Sequence, residues 1–321
     1  MGVTVNFDDL ILSARTVVGE ALHEIGLKND RVWVVTADVG TALADFKRDC
    51  SQRYVDVGIA EQNCVGIAAG LALEGNIPVI MGMIPFLSMR SCEQARTAIC
   101  YQNLPVRLIG TGGGLTSGAG STHNAIEDIA IFSSMVNMTV LSIGDPIMVK
   151  DILRENIDYP GPMSIRLAQG KADAVIYEPG TMKYTIGKGI VANEGGDATI
   201  FAHGEMVRQA LDAARDLKEE GISVRVIDMF TIKPLDVELV LNCIRETRNI
   251  LVWEDHVMNG GLASAVSDAI TDNGVYPAAF KRLGIPQVWA GFGSGAEQRV
   301  KYGYDVETAK SVLRAMCRAG A

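Results

Sequence analysis

Little in this sequence is aromatic, basic or arranged to hold metal through sulfur. Phe, Trp and Tyr make up 6% of the 321 residues, so a core must be packed from aliphatic and small side chains, as in layered α/β proteins. Asp and Glu outnumber Lys and Arg by 38 to 29, and the formal charge of −9 denies the chain the basic face that nucleic acid requires. None of the six cysteines (Cys50, Cys64, Cys92, Cys100, Cys243, Cys317) stands in a CxxC pair, and with four scattered histidines they form no zinc pattern. Long uncharged runs such as 75–89 and 129–144 fall short of the roughly 18 apolar residues that suggest a membrane span. No basic segment followed by an apolar one opens the chain, so no signal peptide is expected. The expectation is a reduced, cytoplasmic, soluble protein that meets neither nucleic acid nor membrane.

What is present is a rhythm. Hydrophobic residues make up 48%, enough to bury two cores in a chain of this length. Short β-branched runs at 32–36, 54–57, 78–81, 106–110, 139–142 and 164–167 read as strands. Helical patterns at 7–25, 60–74, 87–102, 125–134 and 148–157 lie between them. A spacing of about 20–30 residues suits crossover βαβ units and a largely parallel sheet with helices on both faces. The rhythm lapses over 169–187, where Glu178-Pro179-Gly180 reads as a turn within a linker. A second alternation follows, with strands at 198–202, 223–228, 249–253 and 279–283 and helices at 205–220, 236–246, 261–271 and 306–318. The fold class is therefore α/β: two tandem domains, 1–190 and 191–321, each a mostly parallel sheet flanked by helices.

Two segments carry candidate chemistry. In the run 54–63 a strand ends at Gly58 and a helix begins at once, placing Glu61 in the first helical turn. There it can simply complement the helix dipole. The helix behind it, GIAAGLAL at 66–73, has no charge and needs cover on every side, which suggests a subunit interface. A carboxylate at the end of such a helix would be desolvated. The second segment is the glycine-rich loop 110–122 ending at His123, after a strand and before a helix, where open α/β sheets bind ligands. It fits neither GxxxxGK[ST] nor an ordered GxGxxG. His123 is either a capping-region residue or an acid–base group.

These residues carry a resemblance. GIAEQN (58–63), GIAAGLAL (66–73), IPFLSMRSCEQARTAI (84–99), THNAIEDIAIF (122–132) and NMTVL (137–141) resemble the pyrimidine-binding domain of transketolase. TIKPLD (231–236) and GGLASAVSDAI (260–270) resemble the C-terminal domain of that thiamine-diphosphate family. The similarity spans nearly the whole chain, in order, and is closest to the separate C-terminal subunit of a split transketolase.

The resemblance implies roles. Glu61 takes the position of the glutamate that hydrogen-bonds N1′ of the cofactor's aminopyrimidine, and Phe86 that of an aromatic packed on that ring. Asp38 matches an acid near the cofactor at the dimer interface, and His123 a histidine that contacts the donor's reacting oxygens. Other positions depart from the family. The acidic pair of GEDGPTH is missing from GAGSTH, a loop histidine is replaced by Gly112 or Thr111, and two pocket aromatics stand as Met83 and Met89. The arginine that grips a sugar phosphate stands as Gln169, with Arg166 three residues earlier; both are candidate substrate contacts.

The family's GDG motif, which holds diphosphate and a divalent ion, is absent; Gly144-Asp145-Pro146 comes nearest. The chain should therefore hold no metal itself. Mg2+ or Ca2+ would be bound chiefly by a partner N-terminal subunit carrying GDG, in an α2β2 heterotetramer. The activity implied is transfer of a two-carbon ketol unit from an anionic ketose to an aldose. The alternatives are the β subunit of a 2-oxoacid dehydrogenase and a non-catalytic regulatory subunit of the same fold. Arg90, Arg96, His203 and His256 read first as structural or solvated residues.

Overall fold

The computed structural model describes residues 10–116, 118–168 and 173–319. Its first sheet has seven strands in the order Thr231–Lys233, Thr139–Ile143, Met163–Leu167, Arg107–Thr111, Ile77–Met83, Val32–Thr36, Tyr54–Asp56. All run parallel except Thr231–Lys233, which pairs antiparallel with Thr139–Ile143. The second sheet has five strands, Ala279–Ile285, Asn249–Val257, Ala198–Ala202, Val224–Asp228 and the antiparallel edge Ile190–Asn193. Both sheets are thus mostly parallel and helix-flanked.

The pleat sorts the core. Val34, Val79, Met81 and Ile109 face the helices Ala14–Gly26 and Pro146–Asn156, while Val35, Ile80 and Leu108 face Glu61–Leu73 and the segment after it. Each strand buried on both faces reads as an unbroken apolar run, which is why the parallel strands were legible.

The sequence expectations shift in several places. The helix expected over 7–25 begins at Ala14, where the Ser13 hydroxyl accepts from Thr16 N at 3.2 Å; residues 7–9 lie outside the described residues. Just before it, Ile11–Leu12 pairs with Asp173–Ala174. The helix expected over 87–102 is broken into π-helical turns, Phe86–Arg90 and Ala95–Cys100, around a short α-helical stretch. Ser88 and Ser91 hydroxyls donate to the carbonyls of Ile84 and Leu87, four residues back, which loosens the regular ladder. Finally, Gly295–Tyr302 forms a helix that the strand–helix rhythm did not include, closed by a capping box between Ser294 and Glu297.

Glu61–Leu73 buries Cys64, Val65, Ala68, Ala69 and Ala72 against the sheet. Its opposite stripe, Gln62, Gly66, Gly70 and Leu73, is exposed and uncovered within the chain.

Candidate active site

Parallel strands deliver their following loops to one sheet edge. Asp38, Gly58, Pro85 and Gly112 follow four such strands, so the candidate residues gather there. Asp56 ties two of these loops together: its Oδ1 accepts from Gly58 N at 3.0 Å and from Asp38 N at 3.4 Å. Asp38 itself is exposed, with φ of +57°, and is tied to the Glu61 turn through this carboxylate.

Glu61 is the first residue of its helix and is 2% exposed. Its Oε2 accepts a 2.6 Å hydrogen bond from Arg90 Nη1. The same guanidinium lies 4.3 Å above the centre of the Phe86 ring. On that ring's other contact, His123 stands edge-on at 5.2 Å between centroids, with an 83° angle between planes. Thr122 Oγ1 meets His123 Nδ1 at 2.9 Å; among the described residues nothing else hydrogen-bonds the ring, so Nε2 is left for a ligand. Glu61, Arg90, Phe86 and His123 are thus one contiguous group. Arg90 is the member that sequence reading undervalued, because the pairing joins positions 29 residues apart and depends on the π-helical turn between them.

Beside this group lies a cleft of about 240 Å³ lined by Phe86, Met89, Arg90, Thr122, Glu127 and Trp289, with others. Met89 reaches it from the exposed side, and burial raises the Glu127 carboxyl above its usual range. Met83 is half-buried at the end of its strand, opposite Thr111 in register and near Gly112. Gly120, at φ of +88°, has the Phe292 ring so close that a Cβ would sit 2.7 Å from it. Ser121 Oγ donates to the carbonyl of Ala290. The second domain therefore braces the loop that carries His123.

Arg166 does not reach the cleft. It is 3% exposed and fastens the junction of the two sheets, with Nε on Asp128 Oδ2 at 2.9 Å and Nη2 on the Asp255 carbonyl at 2.7 Å. This placement does not meet the expectation of a substrate contact there, because its guanidinium is committed to internal acceptors. Gln169 lies outside the described residues. The same junction explains part of the glycine loop: Gly114, at φ of +79°, packs so tightly on Asp255 that a Cβ would lie 1.9 Å from its carboxylate. Close approach of a buried acid, rather than a phosphate, accounts for that glycine.

The other junction groups are sealed. His203 Nδ1 meets Ser142 Oγ at 2.8 Å, and burial, with Arg166 nearby, pushes its pKa down to about 3. His256 Nδ1 donates to Val257 O at 2.6 Å and is likewise lowered by burial. Glu254 accepts from Leu262 N and Ala263 N at 2.8 and 3.1 Å. Both histidines are thus neutral structural groups. Among the described residues no group of three or more His, Cys, Asp or Glu is placed to hold a metal, and no helix is long and apolar enough to cross a membrane.

The chain resembles known proteins along most of its length. Residues 12–173 match the transketolase pyrimidine binding domain, and 187–308 the transketolase C-terminal domain. A putative transketolase C-terminal section from Methanocaldococcus jannaschii is 36% identical over 93% of this chain and 94% of its own length. A 1-deoxy-D-xylulose-5-phosphate synthase from Syntrophus aciditrophicus is 35% identical over 95% of this chain, which spans 47% of that protein. A solved structure described as a split gene transketolase, inactive beta4 tetramer, superposes with a TM-score of 0.86 at 33% identity, covering 96% of this chain and 99% of that one.

Proposed function

The chain belongs to the transketolase family, and from that premise we propose that it is the C-terminal subunit of a two-component, thiamine-diphosphate-dependent transketolase. The reaction is transfer of a two-carbon ketol unit from an anionic ketose donor to an aldose acceptor. The observation that carries the reading is the Glu61 carboxylate, buried at the start of an apolar helix and flanked by the Phe86 ring with His123 against its edge. Its one side-chain partner, Arg90, approaches from the open side, so the carboxylate and ring face fit the polar edge and the plane of an aminopyrimidine.

Glu61 would hold a proton at N1′ of the cofactor, from a site closed to water on the helix side. Phe86 supplies a flat apolar face, and the Met83 and Met89 thioethers pack against ring edges. Bound there, thiamine diphosphate would supply the nucleophilic carbon that carries the ketol unit. His123, its Nδ1 engaged by Thr122, presents Nε2 to the donor's oxygens. Asp38 completes the site from the loop tied to Asp56 at a subunit interface.

The diphosphate and a Mg2+ or Ca2+ ion belong to a partner N-terminal subunit bearing GDG, and the assembly is α2β2. Supporting this is the absence of GDG from this chain together with the uncovered stripe Gln62, Gly66, Gly70 and Leu73. The division into domains falls near residue 190. The cytoplasm suits six cysteines that are all free.

A second reading has one observation in its favour, the likeness to 1-deoxy-D-xylulose-5-phosphate synthase. It keeps the cofactor and changes the donor to a 2-oxoacid; product analysis separates it, because that donor releases carbon dioxide. The main test is Glu61→Gln in the complex with its partner. Loss of a positioned proton-transfer group lowers turnover by about 10²–10⁴. Near-normal turnover would make the chain a scaffold.

A further inference from the structure

We propose that Arg90 is the resident occupant of the aminopyrimidine subsite in the unloaded chain, a planar internal cation that must swing out before the cofactor is seated and that therefore sets cofactor affinity. This rests on the functional reading above. It concerns a residue which that reading leaves without a role.

The geometry is specific. The two groups assigned to the pyrimidine are the Glu61 carboxylate and the Phe86 ring face. Arg90 covers both at once, with Nη1 2.6 Å from Glu61 Oε2 and its guanidinium 4.3 Å over the ring centre. A guanidinium is flat and edged with N–H donors, so it presents to a carboxylate and an aromatic face what an aminopyrimidine presents. The two cannot occupy the same ring face together.

Arg90 is also built to leave. It ends the π-helical turn Phe86–Arg90, which lays its side chain back over the ring that begins the turn. The side chain is 42% exposed, whereas that of Glu61 is 3% exposed, so the cation sits on the solvent side of the pair and the acid on the protein side. Among the described residues Glu61 is the only acid it pairs with. Glu127 lines the same cleft and offers the departing guanidinium another carboxylate.

Why the chain would keep such a residue follows from Glu61. A carboxylate this buried is costly to leave unpaired. Arg90 neutralises it until another donor arrives, and seating the cofactor becomes an exchange of one set of N–H donors for another. The exchange lowers apparent affinity by the fraction of time Arg90 occupies the site.

The test is titration of thiamine diphosphate, with Mg2+ present, into the complex of this chain and its partner, comparing wild type, Arg90→Met and Arg90→Lys by calorimetry. Relief of competition should tighten binding by about tenfold in Arg90→Met, the order expected for a half-exposed ion pair plus a cation–π contact. Arg90→Lys, which keeps the charge but loses the planar stack, should tighten it by about threefold. The lone Arg90→Met chain should melt lower than wild type, because Glu61 is then unpaired. A purely structural arginine would give the opposite affinity change, so weaker or unchanged binding overturns the inference. Should Arg90→Met fail to assemble, the same reading is taken from Arg90→Lys. Failure of wild type to bind the cofactor at all is a distinct result, and it would sink the functional reading and this inference with it.

Discussion

His123 and Asp128 stand five residues apart and belong to two clusters of ionisable groups with opposite surroundings. The cleft cluster, Glu61, Arg90 and His123 around Phe86, is open along one side: Arg90 and the Met89 thioether both reach solvent. The junction cluster, Asp128, Arg166, His203, Glu254, Asp255 and His256, is sealed, and each of these residues is 3% exposed or less. Composition hardly separates them, since each mixes acids, arginine and histidine. Access does. The sealed groups turn most of their hydrogen bonds on each other and on backbone, as when Asp255 Oδ1 accepts from Tyr304 Oη at 2.8 Å and Leu115 N at 3.3 Å, and the atoms left over, Asp128 Oδ1, His203 Nε2 and Asp255 Oδ2, are closed off from solvent. In the open group His123 keeps one nitrogen unspent. A cluster of titratable residues is a candidate site only when the valence that remains can be reached by a ligand.

That contrast can be broken in order of expected effect. Arg166→Met should cost about 3–5 kcal/mol in urea unfolding of the chain, because Asp128 is left buried without its cation; cofactor affinity of the folded complex should stay within about threefold. A small stability loss would place Arg166 in the open class.

Next comes Asp228, sealed beside the junction, whose carboxyl burial pushes up to about 8 although Tyr177 Oη donates to it at 3.0 Å. An unfolded aspartate titrates near 3.9. Between about pH 4 and pH 8 the folded state therefore holds a proton that the unfolded state has lost, and this contribution to stability declines as pH rises. Asp228→Asn keeps the neutral form at every pH. The difference between the wild-type and variant stability curves should change by roughly 1.4 kcal/mol per pH unit across that window. Parallel curves would contradict the assignment.

The smallest effect sharpens the contrast from the other side. His123→Ala should lower donor turnover by about tenfold while leaving the melting temperature and cofactor affinity nearly unchanged. A large drop in affinity would mean that His123 holds the cofactor rather than the substrate.

Much of this was legible in the residues. Parallel strands such as 139–142 and 164–167 announce themselves because burial on both faces leaves no polar alternation to blur them. Glu61, Phe86 and His123 lie in motifs that survive as strings. Arg90 was harder: its partner is 29 residues away, and only the π-helical turn sets it over Phe86. Arg166 was misjudged because a sequence does not say whether an arginine near the end of a strand points outward or into a junction. The strand Thr231–Lys233 carried no signal of its destination either, since its five neighbours in the chain's second half belong to another sheet.

That strand decides where the chain can be cut. Lys233 Nζ donates to the carbonyls of Ser133 at 2.9 Å and Met135 at 2.6 Å, so the segment is fastened as well as paired. Severing the polypeptide near residue 190 would strip the first sheet of its terminal strand and bare the amide edge of Thr139–Ile143. A bare edge recruits strands from neighbouring molecules. Expressed alone, the first 190 residues would be an insoluble fragment or a swapped oligomer, and recombination between homologues at that point would inherit the same fault. That strand is one seam among several between the two halves, with Arg166 on the Asp255 carbonyl and Ser121 on the Ala290 carbonyl as others, and the chain is the smallest unit that can be exchanged.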